Sequence, residues 1–190
     1  MIKNIEIEAK GELSQKEYEK IISSFDHPRF KYQTNFYIDT LDFSLSENNL
    51  GLRIRKTNDY VELTLKTPYH QGRLEINQKL SPKEFENFLF YNKFPKGDVI
   101  NFLHDKYPKI AGNFSIFGTL NNQRLTIDVE GGEIAIDHFT YLDQERYEIE
   151  CESSSLTKAE NILINYLKKF EIKYQKNTIT KLQRVIDLVR

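Results

Sequence analysis

In its 190 residues the sequence has one cysteine, no tryptophan and five prolines, and it contains no apolar run near the length of a membrane helix. A lone thiol, Cys151, cannot close an internal disulfide. His27, His70, His104 and His138 are scattered, and none pairs with cysteine at zinc spacing, so a zinc site is not expected. Spanning a bilayer takes about 20 consecutive apolar residues, and the opening MIKNIEIEAK lacks an apolar signal core. Neither anchor nor signal peptide is expected, and the expected compartment is the cytoplasm. An excess of one charge is also missing: 27 Lys and Arg stand against 28 Asp and Glu, a formal net charge of -1. That balance removes the global pull used by binders of nucleic acid or anionic membranes, so any anion site must be local. A Gly-rich phosphate loop and a G-x-S-x-G elbow are both absent. With no repeat, low-complexity tract or Pro/Gly-rich linker, residues 1–190 are expected to form a single domain.

What is present is aromatic and strongly alternating. Thirteen Phe and eleven Tyr suit strands and a filled core. Ser14 with Glu17 makes a capping-box pattern ahead of Tyr18, Ile21, Ile22 and Phe25, which predicts a helix. Ser81, Pro82 and Glu84 announce a second before Phe85, Phe88 and Leu89, and a short helix is predicted over Asp98–Tyr107. Thr157 and Glu160 cap a segment carrying Ile162, Leu163, Tyr166, Leu167 and Phe170, and a last helix is predicted over Thr178–Arg190. Period-two runs fill the rest: Ile2–Lys10, Lys31–Asp39, Leu50–Lys56, Tyr60–Thr67, Arg73–Lys79, Asn113–Leu120, Gln123–Glu130, Glu133–Thr140 and Glu145–Glu152. They predict an antiparallel sheet system of eight or nine strands.

Each strand has an apolar and an ionic face, because residues i, i+2 and i+4 point the same way. Glu6, Glu8 and Lys10 oppose Ile5, Ile7 and Ala9; Arg53 and Arg55 oppose Leu52 and Ile54; Glu148, Glu150 and Glu152 oppose Tyr147, Ile149 and Cys151. Glu62 and Lys66, Arg73 and Glu75, and Arg124 and Asp128 divide from their apolar neighbours in the same way. A solvated sheet face explains mixed charge, but like charges side by side, as in Arg53 and Arg55 or the three glutamates, repel unless something lies between them. Polar faces turned inward in a closed sheet would make a charged lumen. Clustered carboxylates without His or Cys are hard oxygen ligands suited to Mg²⁺ or Mn²⁺, and Arg and Lys suit phosphate oxygens. Together they point to metal-assisted phosphoryl transfer to water.

The order of these motifs resembles the CYTH family of triphosphate tunnel metalloenzymes. Ile5-Glu6-Ile7-Glu8-Ala9-Lys10 matches its E-x-E-x-K signature, and Tyr37-Ile38-Asp39, Leu52-Arg53-Ile54-Arg55, Leu63-Thr64-Leu65-Lys66, Arg124, Asp137, Glu148-Ile149-Glu150 and Lys181 follow in order. The resemblance implies an α+β fold, an eight-stranded antiparallel β-barrel or tunnel with a charged lumen and helices packed outside. It also implies a hydrolase of tripolyphosphate, thiamine triphosphate or a nucleoside triphosphate, using Mg²⁺ or Mn²⁺. Lys10, Arg53, Arg55, Lys66, Arg124 and Lys181 would then hold the triphosphate. Glu6, Glu8, Asp137, Glu148 and Glu150 would hold metal, with Glu6, Glu8, Lys10, Glu148 and Glu150 as the catalytic set. Arg73, Glu75, Glu62 and Glu152 share these faces by parity, and Arg184 lies three residues beyond Lys181. A class IV-like adenylate cyclase and a non-catalytic polyphosphate or nucleotide-binding module are the alternatives. The expected partner is a small triphosphate, with no nucleic acid or membrane and an open oligomeric state.

Overall fold

The computed structural model describes residues 2–110 and 112–190. Alternation becomes nine strands: β1 (Ile2–Glu6), β2 (Glu8–Leu13), β3 (Lys31–Asp39), β4 (Gly51–Lys56), β5 (Val61–Tyr69), β6 (Gly72–Leu80), β7 (Ser115–Val129), β8 (Gly132–Tyr141) and β9 (Gln144–Ser153). Their hydrogen-bonded order is β1-β6-β5-β4-β3-β7-β8-β9-β2. The fold is α+β, and the ladders β2–β9, β3–β4, β4–β5, β5–β6, β7–β8 and β8–β9 are all antiparallel.

Two expectations about strands need correction. The order is linear, with β1 and β2 at its ends, and has nine members where a closed ring of eight was expected. The extra member arises at Ile7, where the first stretch divides because β1 neighbours β6 whereas β2 pairs with β9. The runs expected at 113–120 and 123–130 fuse into β7, since Asn121 and Asn122, which read as a turn, stay in the ladder opposite Thr140 and Phe139.

The helices are α1 (Gln15–Ile22), α2 (Ser44–Glu47), α3 (Pro82–Tyr91), α4 (Asp98–Lys106), α5 (Leu156–Lys168) and α6 (Lys181–Val189). Both predicted capping boxes form, Ser14 with Glu17 and Ser81 with Glu84, the latter with Pro82 in the first turn. The cap of α5 is Ser155 rather than Thr157, its hydroxyl accepting from Lys158 N–H. Helix α2 was not expected, and α6 starts at Lys181 rather than near Thr178. No described helix is long and apolar enough to cross a membrane.

The chain forms two compact units, residues 1–5, 34–120 and 182–190 in one and residues 6–33 and 121–181 in the other. In the first, Leu52, Ile54, Leu63, Leu65 and Ile76 pack against Phe85 and Phe88 of α3 and Val99 and Leu103 of α4. In the second, Ala9, Ile134, Ile136, Ile149 and Cys151 pack against Ile21 of α1 and Ala159, Leu163 and Leu167 of α5. Each fully buried Leu or Ile contributes about 1.5–3 kcal/mol. That gain commits the apolar faces to these helices, and with side-chain period two the charged residues are turned to the opposite face.

Candidate active site

In the second unit, ladder register decides which charges meet. Lys10 lies opposite Glu150, Glu148 opposite Asp137, and Asp137 opposite Arg124, so one face of β2, β9, β8 and β7 gathers them. Arg124 binds Asp137 through two nitrogens, Nε to Oδ1 at 2.7 Å and Nη2 to Oδ2 at 2.5 Å, and Nη2 also reaches Glu150 Oε2 at 2.5 Å. Lys10 Nζ lies 3.1 Å from Glu150 Oε1 and 2.7 Å from Glu8 Oε1. Lys181, the first residue of α6, places Nζ 2.9 Å from Asp137 Oδ2 and 2.7 Å from Glu150 Oε1, and also donates to Glu148 Oε1. The same ammonium sits 4.8 Å from the centre of the Phe139 ring, a cation–π contact. Asp137, Glu148 and Glu150 are all buried.

Three supporting residues escaped sequence reasoning. Asn122, buried, donates Nδ2 to Asp137 Oδ1 at 3.0 Å, and Asn177 donates Nδ2 to Glu148 Oε2 at 2.6 Å. Asn177 is held there by its own N–H on Lys10 C=O at 2.8 Å, and Tyr174 O–H reaches that carbonyl at 2.9 Å. The segment passes close to Gly11, where a Cβ would stand 3.0 Å from the Tyr174 ring and 3.2 Å from Gln175 C=O, so a side chain there would press on this segment. For Asn122 the clue was parity with Arg124; Asn177 lies in an irregular segment and left no periodic signal.

Desolvation is the largest influence on each carboxyl, opposing charge, yet the outcomes differ. For Asp137 it is outweighed by Arg124 and Lys181, and for Glu150 by Lys10, Lys181 and Arg124, so both are held below the usual carboxylate range. For Glu148 burial prevails over Lys181, with Glu150 adding repulsion, and its carboxyl is pushed up to about 7. Burial opposes the charge of Lys181 and Lys10, but the surrounding carboxylates outweigh it and keep both ammonium groups protonated. Ligand oxygens of Asp137, Glu148 and Glu150 lie within 4.8 Å of one another. Three hard oxygen donors with no nitrogen or sulfur fit a divalent cation of the Mg²⁺ class, and a lysine ammonium among them confirms that the pocket accommodates positive charge.

Of the other sequence candidates in this unit, Glu8 sits one step along the ladder, opposite Glu152, and joins the cluster through Lys10. Neither Glu8 nor Glu6, at the end of β1, is among the three grouped carboxylates. Cys151 is buried in the core and its thiol is pushed up to about 11, chiefly by desolvation, which leaves it without nucleophilic character at neutral pH.

In the first unit, β4 and β5 carry Arg53, Arg55 and Lys66. Arg55 Nε donates to the buried Asn35 Oδ1 at 3.1 Å, and Lys66 Nζ pairs with Glu75 at 2.8 Å. Arg53 keeps a buried Nε with no hydrogen-bond acceptor among the described residues. Desolvation of Glu75 is outweighed by Lys66, Arg53 and Arg55, so its carboxyl is lowered and stays ionised. Glu62 lies opposite Arg55 in register. Arg73 turns to a different task, binding Asn49 C=O at 2.6 Å and Asn49 Oδ1 at 2.9 Å, which ties a loop. Arg184 lies on α6, whose Leu182 and Val185 would meet a Cβ at Gly51 and Gly118 at 3.0 and 2.3 Å.

Comparison with known proteins identifies the family. The chain is 35% identical over 186 residues to YjbK of Bacillus subtilis (strain 168), provisionally named a triphosphatase, covering 97% of this chain and 95% of that protein. A Bacillus halodurans crystal structure, provisionally named an adenylate cyclase, superposes with a TM-score of 0.87 at 37% identity over 97% of this chain and 98% of the other. HpAC1 of Hippeastrum, described as having a dominant triphosphatase activity, shares the fold with a TM-score of 0.82 at 23% identity, covering 97% of each chain. The CYTH domain profile matches residues 4–186, taking in every strand from β2 to β9 and the whole acidic group, and the chain belongs to the CYTH family.

Proposed function

We propose that this protein hydrolyses the terminal phosphoanhydride of a triphosphate with a divalent metal, Mg²⁺ or Mn²⁺. The observation that carries this reading is the buried interleaving of Asp137, Glu148 and Glu150 with Lys10, Arg124 and Lys181. Its support from relatives is the provisional triphosphatase name of the 35% identical Bacillus subtilis protein. The family match runs through both compact units, which supports treating residues 1–190 as one functional domain; the proposed compartment is the cytoplasm.

In this reading Lys10, Arg53, Arg55, Lys66, Arg124 and Lys181 bind phosphate oxygens, the arginines through forked donors. The unsatisfied buried Nε of Arg53 supports an anionic acceptor there. Asp137, Glu148 and Glu150 hold the metal, with Glu6 and Glu8 as further acidic residues of the site. A bound divalent ion supplies charge stabilisation on the transferring phosphoryl group and polarises water. Asn122 and Asn177 fix the carboxylates of Asp137 and Glu148, so little reorganisation is needed as charge moves. In this reading water is the attacking group, and no nucleophilic side chain is required.

The test is incubation with tripolyphosphate, thiamine triphosphate and nucleoside triphosphates, with each metal and in chelator, and identification of products by mass. Phosphate and a diphosphate are expected, with no turnover in chelator. Pyrophosphate with a cyclic nucleotide establishes the cyclase reading instead, which the name of the Bacillus halodurans relative keeps in view. Binding without any product leaves a binding module.

A further inference from the structure

The carboxylates suited to a metal already hold a cation belonging to the chain. Lys181 Nζ touches all three: Asp137 Oδ2 at 2.9 Å, Glu150 Oε1 at 2.7 Å, and Glu148 Oε1. An ammonium at that point and a divalent ion on the same oxygens would repel in a buried site where charge is poorly screened. The local charges are also close to balance without a metal. Lys10, Arg124 and Lys181 stand among Asp137, Glu148 and Glu150, with Glu8 as a fourth carboxylate paired to Lys10 at the edge. A divalent ion alone would turn this buried group net positive. A triphosphate alone would bring several negative charges to cations already committed to carboxylates. Added together, the two charges offset one another, and the phosphate oxygens become alternative acceptors for the ammonium.

The lysine is built to change partners. Its flexible four-carbon stem carries three donors that rotate freely, unlike the fixed fork by which Arg124 grips Asp137. The carboxylates have other support when it leaves, since Asn122 remains on Asp137, Asn177 on Glu148, and Lys10 and Arg124 on Glu150.

Resting on the triphosphatase reading above, we propose that Lys181 is a resident counter-ion that occupies the metal position in the metal-free protein and is drawn off the carboxylates by the bound triphosphate. Metal and triphosphate consequently bind with positive coupling, and part of that coupling belongs to Lys181.

Calorimetry tests this with Mn²⁺ and a non-hydrolysable imidotriphosphate. In the wild-type protein the analogue tightens Mn²⁺ binding at least ~5-fold, and Mn²⁺ tightens the analogue by the same factor. In Lys181→Met, Mn²⁺ alone binds tighter than to wild type by a similar factor, and the coupling to the analogue shrinks. The melting temperature of this variant falls in chelator and recovers with Mn²⁺ alone. Lys181→Gln makes the same comparison with a side chain that still donates a hydrogen bond. If both variants bind Mn²⁺ no tighter than wild type, or keep the full coupling, the exchange is wrong even though wild-type turnover stands. Absence of coupling in the wild type overturns it without any variant. If the wild type shows neither triphosphate turnover nor Mn²⁺ binding, with or without the analogue, the triphosphatase reading falls and this inference with it.

Discussion

Glu148 is the least comfortable carboxylate in the cluster, because burial pushes it up to about 7 against the pull of Lys181. In the metal-free protein its proton is retained below that pH, so its contribution to stability is full below the ordinary carboxylate pKa and is lost as pH rises through about 7. A metal must displace the same proton. Mn²⁺ affinity should therefore climb with pH up to about 7 and level off above, with close to one proton released per metal at pH ~6 and almost none at pH ~8.5. Calorimetry in buffers of different ionisation heat measures that release; an affinity flat across the range would refute the assignment. Asn177→Ala removes the donor to Glu148 Oε2 and should lower turnover by roughly 10–100-fold with the circular dichroism spectrum unchanged. On the other unit, Arg53→Ala should weaken triphosphate binding in chelator by roughly 10-fold or more, the scale of a charge-assisted hydrogen bond; unchanged affinity would remove Arg53 from the site. Glu8 and Lys10 were legible as a motif. Asn122 and Asn177 were not, because a neutral amide that orients a carboxylate carries no charge pattern.

At the level of elements, helix starts were legible where the cap is local. Ser81 accepts from Glu84 N–H and Glu84 returns the bond, so Ser81→Ala should cost about 1 kcal/mol of stability, measured by denaturant unfolding. Helix α2 has no such signal. Its N-cap is Phe43 at φ 56°, and its first-turn N–H groups at Leu45 and Ser46 are satisfied by the buried Asp39 carboxylate from the end of β3. A capping anion six residues upstream lies outside the three-residue spacing that a capping box uses. Helix α6 depends on glycine in a way that only packing exposes. A Cβ at Gly118 would stand 2.3 Å from Val185 Cγ1, and a β-branched side chain cannot rotate freely to escape. Gly118→Ala should therefore destabilise by about 1–3 kcal/mol, and Val185→Ala in the same chain should recover part of the loss. A thermal melt of the two single variants and the double one decides it; additive losses would mean that Val185 is not the obstacle.

For the molecule as a whole, the net charge of -1 provides no general attraction for anions, so stabilisation by ligand should require the specific set of residues. At 100 times its dissociation constant a ligand adds about 2.7 kcal/mol, and a chain of this size gains about 2–4 °C per kcal/mol. Mn²⁺ with imidotriphosphate should thus raise the melting temperature by roughly 5–10 °C in scanning calorimetry, whereas an unrelated dianion such as sulfate at the same concentration should not. The sequence by itself determined which face of each strand is ionic and which is apolar, because side-chain direction along a strand is a local property of the backbone. It also determined the ordered CYTH motifs, two capped helix starts and the residue types at the site. Only the tertiary structure decided that Ile7 divides the first strand and that Asn121 and Asn122 continue one. It alone brought Asp137, Glu148 and Glu150 within 4.8 Å of one another and placed Lys181 among them. The physical reason is register: a carboxylate's neighbours are set by ladders joining residues far apart in the chain, 140 positions for Lys10 and Glu150, and strand periodicity carries no information about which rung meets which.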